Sequence, residues 1–364
     1  MYPDSVSRVH FLFVLIYGKS GFFIKFVKTY SISIKMGEHI CFRRNERLAT
    51  VNPYWRGNPM VRGRFFNRQH RFRPGMGSVL KWRLSPNPQR KEKKAVKWDP
   101  KVCYLRSLDA VVGDSLIWLG HNSFFLQLAG KRVMFDPVFG NIPFVKRQSE
   151  FPANPDIFTE IDYLLVSHDH FDHLDKRSIA HLLKNNPQMK LFCGLGTGEL
   201  IQSWFSEMKI VEAGWYQQIE DEGLKITFLP AQHWSKRSVR DGGQRLWGAF
   251  MLQGDNISLY YSGDTGYSSH FREIPDLFGA PDYALLGIGA RWFMRPNHIS
   301  PYESLTASEE MHAGLTIPMH YGTFDLSDEP LHDPPKVFAA EAKKRKIPVE
   351  IPYLGEIVKL SKKK

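Results

Sequence analysis

The nine residues Ser167-His-Asp-His-Phe-Asp-His-Leu-Asp175 constrain this chain more than any other stretch. They follow a short apolar run, Ile161-Asp-Tyr-Leu-Leu-Val166, whose length and branched content predict a buried strand. Residues two apart in extended backbone point the same way, so His168 and His170 can share one cation. Asp172 and His173 lie past a turn and can address a second cation a few ångströms away, the arrangement that two-metal hydrolysis requires. An exposed polar loop could also carry such residues. Three histidines within six positions fit the ligand preferences of imidazole far better. The stretch predicts a binuclear metal site at a strand end.

With 364 residues, 43% hydrophobic and 24% charged, the chain can bury a large core, which excludes disorder throughout. Cys41, Cys103 and Cys193 are odd in number and widely spaced. They form neither a disulfide framework nor a metal knuckle, and they favour a reducing, cytoplasmic setting. Charge is unevenly placed. Residues 1–100 hold 21 of the 49 Lys/Arg but only 5 of the 37 Asp/Glu, so the net charge of +12 originates there. Such a segment suits an anionic surface, phospholipid or nucleic acid, although arginines can also simply solubilise a leader.

Three regions follow. Residues 1–41 form an uncertain leader. Its apolar run Phe11-Leu-Phe-Val-Leu-Ile-Tyr17 is far short of the roughly 20 residues a spanning helix needs, and Met36 is an alternative start. Residues 42–104 are a basic, extended arm rich in Pro and Gly, expected to wrap the main domain with Tyr54, Trp55, Phe65 and Phe66 as anchors. Gln89-Arg-Lys-Glu-Lys-Lys94 within it reads as a solvated helix or linker. Residues 105–364 form the main domain, of alternating strands and helices. Strands are expected at Ser115–Leu119, Ser123–Leu128, Arg132–Phe135, Lys190–Cys193, Leu224–Leu229, Leu246–Leu252, Ile257–Ser262 and Thr316–Met319. Helices are expected from Asp175 to about Asn186, over Pro301–Ala313 and over Pro335–Arg345. Gly194-Leu-Gly-Thr-Gly198 predicts a tight strand-to-helix connection rather than a phosphate loop. Two successive halves, each strands then helices, point to two packed sheets with helices outside.

Three further metal-capable residues end apolar strands: His233 in Pro230-Ala-Gln-His-Trp, Asp264 in Gly263-Asp-Thr-Gly, and His320 in Met319-His-Tyr-Gly. Loops at one edge of a sheet converge in space. The sequence resembles the metallo-β-lactamase fold superfamily in its His-x-His-x-Asp-His block, distant His, Gly-Asp and final His. Trp118-Leu-Gly-His-Asn-Ser123, Asp136-Pro137, Pro230-Ala-Gln-His-Trp-Ser-Lys-Arg237, Arg291-Trp-Phe-Met294 and Met319-His-Tyr-Gly-Thr-Phe324 are similar to its N-acyl-phosphatidylethanolamine-hydrolysing phospholipase D branch, over about residues 105–345. The resemblance implies an α/β fold, a four-layer αββα sandwich, holding two zinc ions. His168, His170 and His233 would hold one ion, Asp172, His173 and His320 the other, and Asp264 would bridge them. The segments around Ala290–Arg291 and between Phe139 and Asp162 are shorter than in the family, which leaves substrate identity less determined than the chemistry.

The implied reaction is attack of a metal hydroxide at phosphorus, yielding N-acylethanolamine and phosphatidic acid. Asp264 would orient the nucleophile. His298 would contact the phosphate or protonate the leaving alkoxide. His121 is expected to be structural or to support a ligand, and Asp136 to stabilise a turn. Trp292 and Phe293 are candidate substrate contacts, and with Trp234, Trp247 and Met294 they could line an apolar channel. Expected partners are phospholipid at an anionic membrane surface, with no specific nucleic acid; peripheral membrane binding and a homodimer are both compatible. Alternatives are another hydrolase on the same scaffold (nuclease, lactonase or thioesterase) and a non-enzymatic lipid-binding protein. Position 170 being His argues against an iron oxidoreductase.

Overall fold

The computed structural model describes residues 6–11, 30–35, 39–69, 84–289 and 296–363. Among them, two sheets of seven strands each stack face to face. The first runs in the order β12 (Lys209–Ala213), β11 (Lys190–Gly194), β10 (Tyr163–Val166), β9 (Lys131–Phe135), β8 (Ser123–Leu128), β7 (Ser115–Gly120) and β19 (Ile357–Lys359). The second runs β18 (Leu315–Met319), β17 (Tyr283–Gly287), β16 (Ser258–Tyr261), β15 (Ala249–Gln253), β14 (Leu224–Leu229), β13 (Gln217–Asp221) and β4 (Ala49–Thr50). Strands β9 to β12 run parallel to one another, as do β16 to β18, so their C-terminal loops emerge together.

Strand alternation sorts the core into layers. In β10, Tyr163 and Leu165 join the cluster shared with Phe228, Phe250 and Tyr261 of the second sheet. Leu164 and Val166 face the opposite way, onto Ile179 and Leu182 of helix Lys176–Asn185 and Ile201 of helix Thr197–Gln202. Helices Pro301–Met311 and Asp333–Arg345 bury Leu305, Met311, Phe338 and Ala342 against the second sheet. This is the αββα sandwich that was expected.

The helix after the metal loop starts as its sequence requires. Asp175 caps it, accepting from Ser178 N at 2.9 Å. Helix Pro301–Met311 starts on a capping box of Ser300 and Glu303. The glycine-rich turn is also a plain connection. Glu212 Oε1 accepts from Gly198 N at 2.6 Å and so occupies the place an anion would need. One strand begins later than its apolar run suggests. Leu246 N and Gly248 N donate to Leu195 O (2.8 Å) and Ser167 O (3.0 Å) across the sandwich, so β15 opens only at Ala249. Strands β12, β13, β17 and β19 were not anticipated, because three of them are short and of mixed polarity.

The basic region is built into the sandwich. β3 (Ile40–Arg43), β5 (Asn58–Val61) and β6 (Arg64–Phe65) form a small antiparallel sheet, and β4 pairs with β13 as an edge strand. Phe65 and Phe66 are buried, and Trp55 packs on the Trp215 and Tyr216 rings. Tyr54 is 55% exposed and is no anchor. Helix Arg90–Ala95 buries no residue, as its charge run predicted. In the leader, β1 (Val6–Phe11) pairs antiparallel with β2 (Tyr30–Lys35), and the rest of its apolar run lies outside the described residues. No described helix is long and apolar enough to cross a membrane, and Cys41, Cys103 and Cys193 are all free thiols.

Candidate metal centre

The loops after β7, β10, β14, β16, β17 and β18 deliver His121, His168–His173, His233, Asp264, His298 and His320 to one edge of the sandwich. Two groups of four form there, and Asp264, His298 and His320 lie together as a third. His168, His170, His233 and Asp264 make one, and His121, Asp172, His173 and His320 the other, with ligand atoms in each group within 4.8 Å of one another. His170 Nδ1 lies 2.8 Å from His168 Nε2 and 3.1 Å from His233 Nε2. Donors bound at 2.0–2.1 Å to a tetrahedral ion stand about 3.3 Å apart, so these spacings are those of a ligand shell.

Which ring nitrogens carry protons follows from their other bonds. His233 Nδ1 donates to Asn297 O at 2.9 Å, and His168 Nδ1 lies 3.0 Å from Ser167 Oγ, whose own proton goes to Asp136 Oδ2. Both Nε2 atoms therefore turn lone pairs inward, and one proton on His170 Nδ1 can satisfy only one of them. In the second group His173 Nε2 and His320 Nε2 are buried without a hydrogen-bond partner, although each lies near Asp264 Oδ2, at 3.2 and 3.1 Å. Converging lone pairs and orphaned buried nitrogens are what a cation would satisfy, so the residues fit a metal. Asp264 Oδ1 accepts from Asn122 Nδ2 at 3.0 Å, which leaves Oδ2 facing both groups, 3.8 Å from His233 Nε2 and 4.0 Å from His168 Nε2.

The electrostatics of the first group agree. Burial pushes His168 and His233 well below the ordinary imidazole range, which keeps them neutral as ligands must be. Burial opposes ionisation of Asp264, but the neighbouring His173, His320 and His298 outweigh it and hold the carboxyl well below its usual range. For His173, burial is likewise outweighed, here by the Asp264 and Asp172 charges, and its pKa is raised.

His121 supports a ligand, as expected, and Asp136 does more than expected. His121 Nε2 lies 2.9 Å from Asp172 Oδ2 and orients that carboxylate. Asp136, expected only to stabilise a turn, is fully buried and accepts from Ser167 N (2.8 Å), Ser167 Oγ (2.5 Å), His173 Nδ1 (2.7 Å) and Tyr261 OH (2.6 Å). It fixes the His173 ring with its Nε2 toward the centre. Asn67 of the basic region has no sequence signal. Its Nδ2 donates to His233 O at 2.7 Å, and its Oδ1 accepts from His233 N at 3.2 Å and Trp247 Nε1 at 3.0 Å. Trp247 is thus core, not channel. The Trp234 ring packs 4.6 Å from His170. Arg291, Trp292, Phe293 and Met294 lie outside the described residues.

Stacked seven-stranded sheets with this histidine–aspartate edge define a metallo-β-lactamase-fold protein with the residue set of a metal-dependent hydrolase. Residues 131–321, more than half of the chain, match the family described as the beta-lactamase superfamily domain, and the chain belongs to that superfamily. It is similar to the N-acyl-phosphatidylethanolamine-hydrolyzing phospholipase D 1 of Caenorhabditis elegans, 33% identical over 231 residues, 57% of this chain and 64% of that one. The match therefore spans just under two thirds of that relative. A metal-dependent hydrolase of Sulfolobus acidocaldarius is 34% identical over 217 residues, 58% of this chain and 86% of that protein. Among solved structures, the metallo-beta-lactamase fold protein YhfI of Bacillus subtilis superposes with a TM-score of 0.50 at 17% identity, over 68% of this chain and all of its own.

Proposed function

We propose that the protein is a zinc-dependent phosphodiesterase of the phospholipase D type, releasing N-acylethanolamine and phosphatidic acid from N-acyl-phosphatidylethanolamine. The observation that carries this is the position of Asp264 Oδ2, shared by two groups of inward-facing imidazoles. The name of the C. elegans relative supports the choice of lipid. His168, His170 and His233 would hold one ion, Asp172, His173 and His320 a second, with Asp264 common to both. Two zinc ions, when bound, supply a nucleophile from water at neutral pH and neutralise the charge on a phosphodiester oxygen.

The remaining work falls to the chain. His121 and Asp136 hold Asp172 and His173 in place, and Asn122 keeps Asp264 turned inward. His298 Nδ1 stands 3.7 Å from Asp264 Oδ2, and burial pushes its pKa down to about 3. A neutral imidazole there donates an N–H to a phosphate oxygen but holds no extra proton at neutral pH, which favours the phosphate-contact role over protonation of the leaving alkoxide. A recess beside His121 and His320 is lined in part by the apolar Phe324, Leu326 and Leu331. The test is hydrolysis in oxygen-18 water. Attack at phosphorus places the label in phosphatidic acid, and label in N-acylethanolamine would refute the mechanism.

A further inference from the structure

His168 and His170 turn to the metal centre, and Asp169 between them turns the other way, into the loop 235–245 that follows His233. Its carboxylate is fully buried. Oδ1 accepts from Lys236 N at 2.8 Å, and Oδ2 accepts from Arg245 Nε at 2.5 Å. Arg245 is itself buried and donates through Nη2 to Asp241 Oδ2. Asp241 Oδ1 in turn accepts from Ser238 N at 2.8 Å and Arg237 N at 3.1 Å. Ser235 closes the base of the loop. Its carbonyl accepts from Gly243 N at 2.9 Å, and its Oγ donates to Arg245 O at 2.5 Å.

Arg237 fastens the same two loops a second time. Its Nη1 donates to Asp169 O at 2.8 Å and to Leu174 O at 2.7 Å, so it bridges the two ends of the stretch that carries His170, Asp172 and His173. The Phe171 ring lies 4.1 Å from its guanidinium, and the charges of Asp169, Asp175 and Asp241 favour its cation.

Apolar residues of like volume would join two loops as firmly, because a buried ion pair regains in attraction little more than it loses in hydration. What charged, hydrogen-bonded groups add is direction. With a separate donor on each oxygen, the Asp169 carboxylate has one orientation, and the backbone between His168 and His170 is held with it.

We infer that Asp169 and Arg245 are positioning residues for the first metal group. Their ion pair locks the His168–His170 backbone to the loop leading out of His233, so that the three imidazoles stand at coordinating separation before an ion arrives. The inference rests on the reading of that group as a zinc site and adds the residues outside it that set its spacing. The His173 group is held from elsewhere, by Asp136 and His121, so the pair acts on one group and not the other.

The experiment loads the full chain with zinc and reads its two affinities by chelator competition. Cadmium-113 resonances tell the two ions apart, the first-group signal being the one that His233→Ala abolishes. Asp169→Asn/Arg245→Gln removes both charges together and so leaves neither buried and unpaired. It should weaken the first group about 10-fold or more and move its resonance, while the second group stays within about threefold of wild type. Arg245→Lys keeps the charge but not the fork that reaches both Asp169 and Asp241, and should lie between wild type and the double variant. Arg345→Gln/Glu341→Gln, a pair on helix Asp333–Arg345, should leave both affinities unchanged. First-group affinity within about threefold of wild type in the double variant overturns the proposal even if the unfolding midpoint falls, because the pair would then serve stability alone. Equal weakening of both groups overturns it too. A wild type that binds no ion at His168, His170 and His233 sinks the zinc reading itself, whereas two bound ions with the double variant unchanged sink only the positioning role.

Discussion

Asn67→Ala tests whether the basic region is part of the metal centre. Among the described residues, the substitution removes the partners of the His233 backbone, the acceptor for its N–H at 3.2 Å and the donor to its carbonyl at 2.7 Å. Trp247 Nε1 keeps its second acceptor, Ala231 O, at 3.0 Å. Asn67 is 5% exposed and His233 fully buried, so water does not readily replace the lost bonds. A buried group left unpaired costs about 1–3 kcal/mol. Two such groups, less the relief of no longer burying the amide, give a loss of about 2–4 kcal/mol. For a domain of this size that lowers the unfolding midpoint by roughly 3–7 °C without unfolding the chain, whose total stability is on the order of 5–15 kcal/mol. Because the lost bonds hold the His233 backbone while the ring keeps its Asn297 partner, zinc affinity should fall about 10-fold, the low end for supporting bonds. Competition with a chromophoric chelator measures the affinity, and thermal unfolding of metal-free protein measures the rest. Asn67→Asp, which keeps the acceptor, should lie between wild type and alanine. Zinc affinity within twofold of wild type and an unshifted midpoint would together refute the coupling.

Asp136→Asn should lower the bound zinc from two equivalents toward one, with binding at the His173 group weakened about 10- to 100-fold, because an amide cannot accept from all four donors now around the carboxylate; metal analysis after gel filtration shows it, and full retention of two equivalents counts against the assigned role. His270, buried between Ser268 and Thr265, has its pKa pushed down by burial to about 3. Its folded value lies below the unfolded value, so the unfolded chain gains a proton first. The stability is complete above about pH 6.5 and is lost as pH falls toward 3, by about 2 kcal/mol at pH 5. Urea unfolding at pH 8 and pH 5 should show this slope in the wild type and a shallower one in His270→Gln, and equal slopes would be the contrary result.

Much of the centre was legible because its chemistry is local. His168, His170, Asp172 and His173 are adjacent in sequence, and the spacing alone divides them between two directions after a strand. His233, Asp264 and His320 each end an apolar run, which marks a strand-end loop without any knowledge of the partners. The stacked sheets were readable for the same reason, since a short apolar run such as β8 or β10 needs only near neighbours. What supports the ligands was not legible. Asp136 is one carboxylate after a strand until Ser167, His173 and Tyr261 fold around it. Asn67 stands in a stretch rich in arginine and glycine, and its bonds to His233 span 166 residues. Ligands are chosen by residue type, which a sequence displays. The bonds that orient them depend on which distant backbone groups lose water together, and that is decided only when the two sheets close.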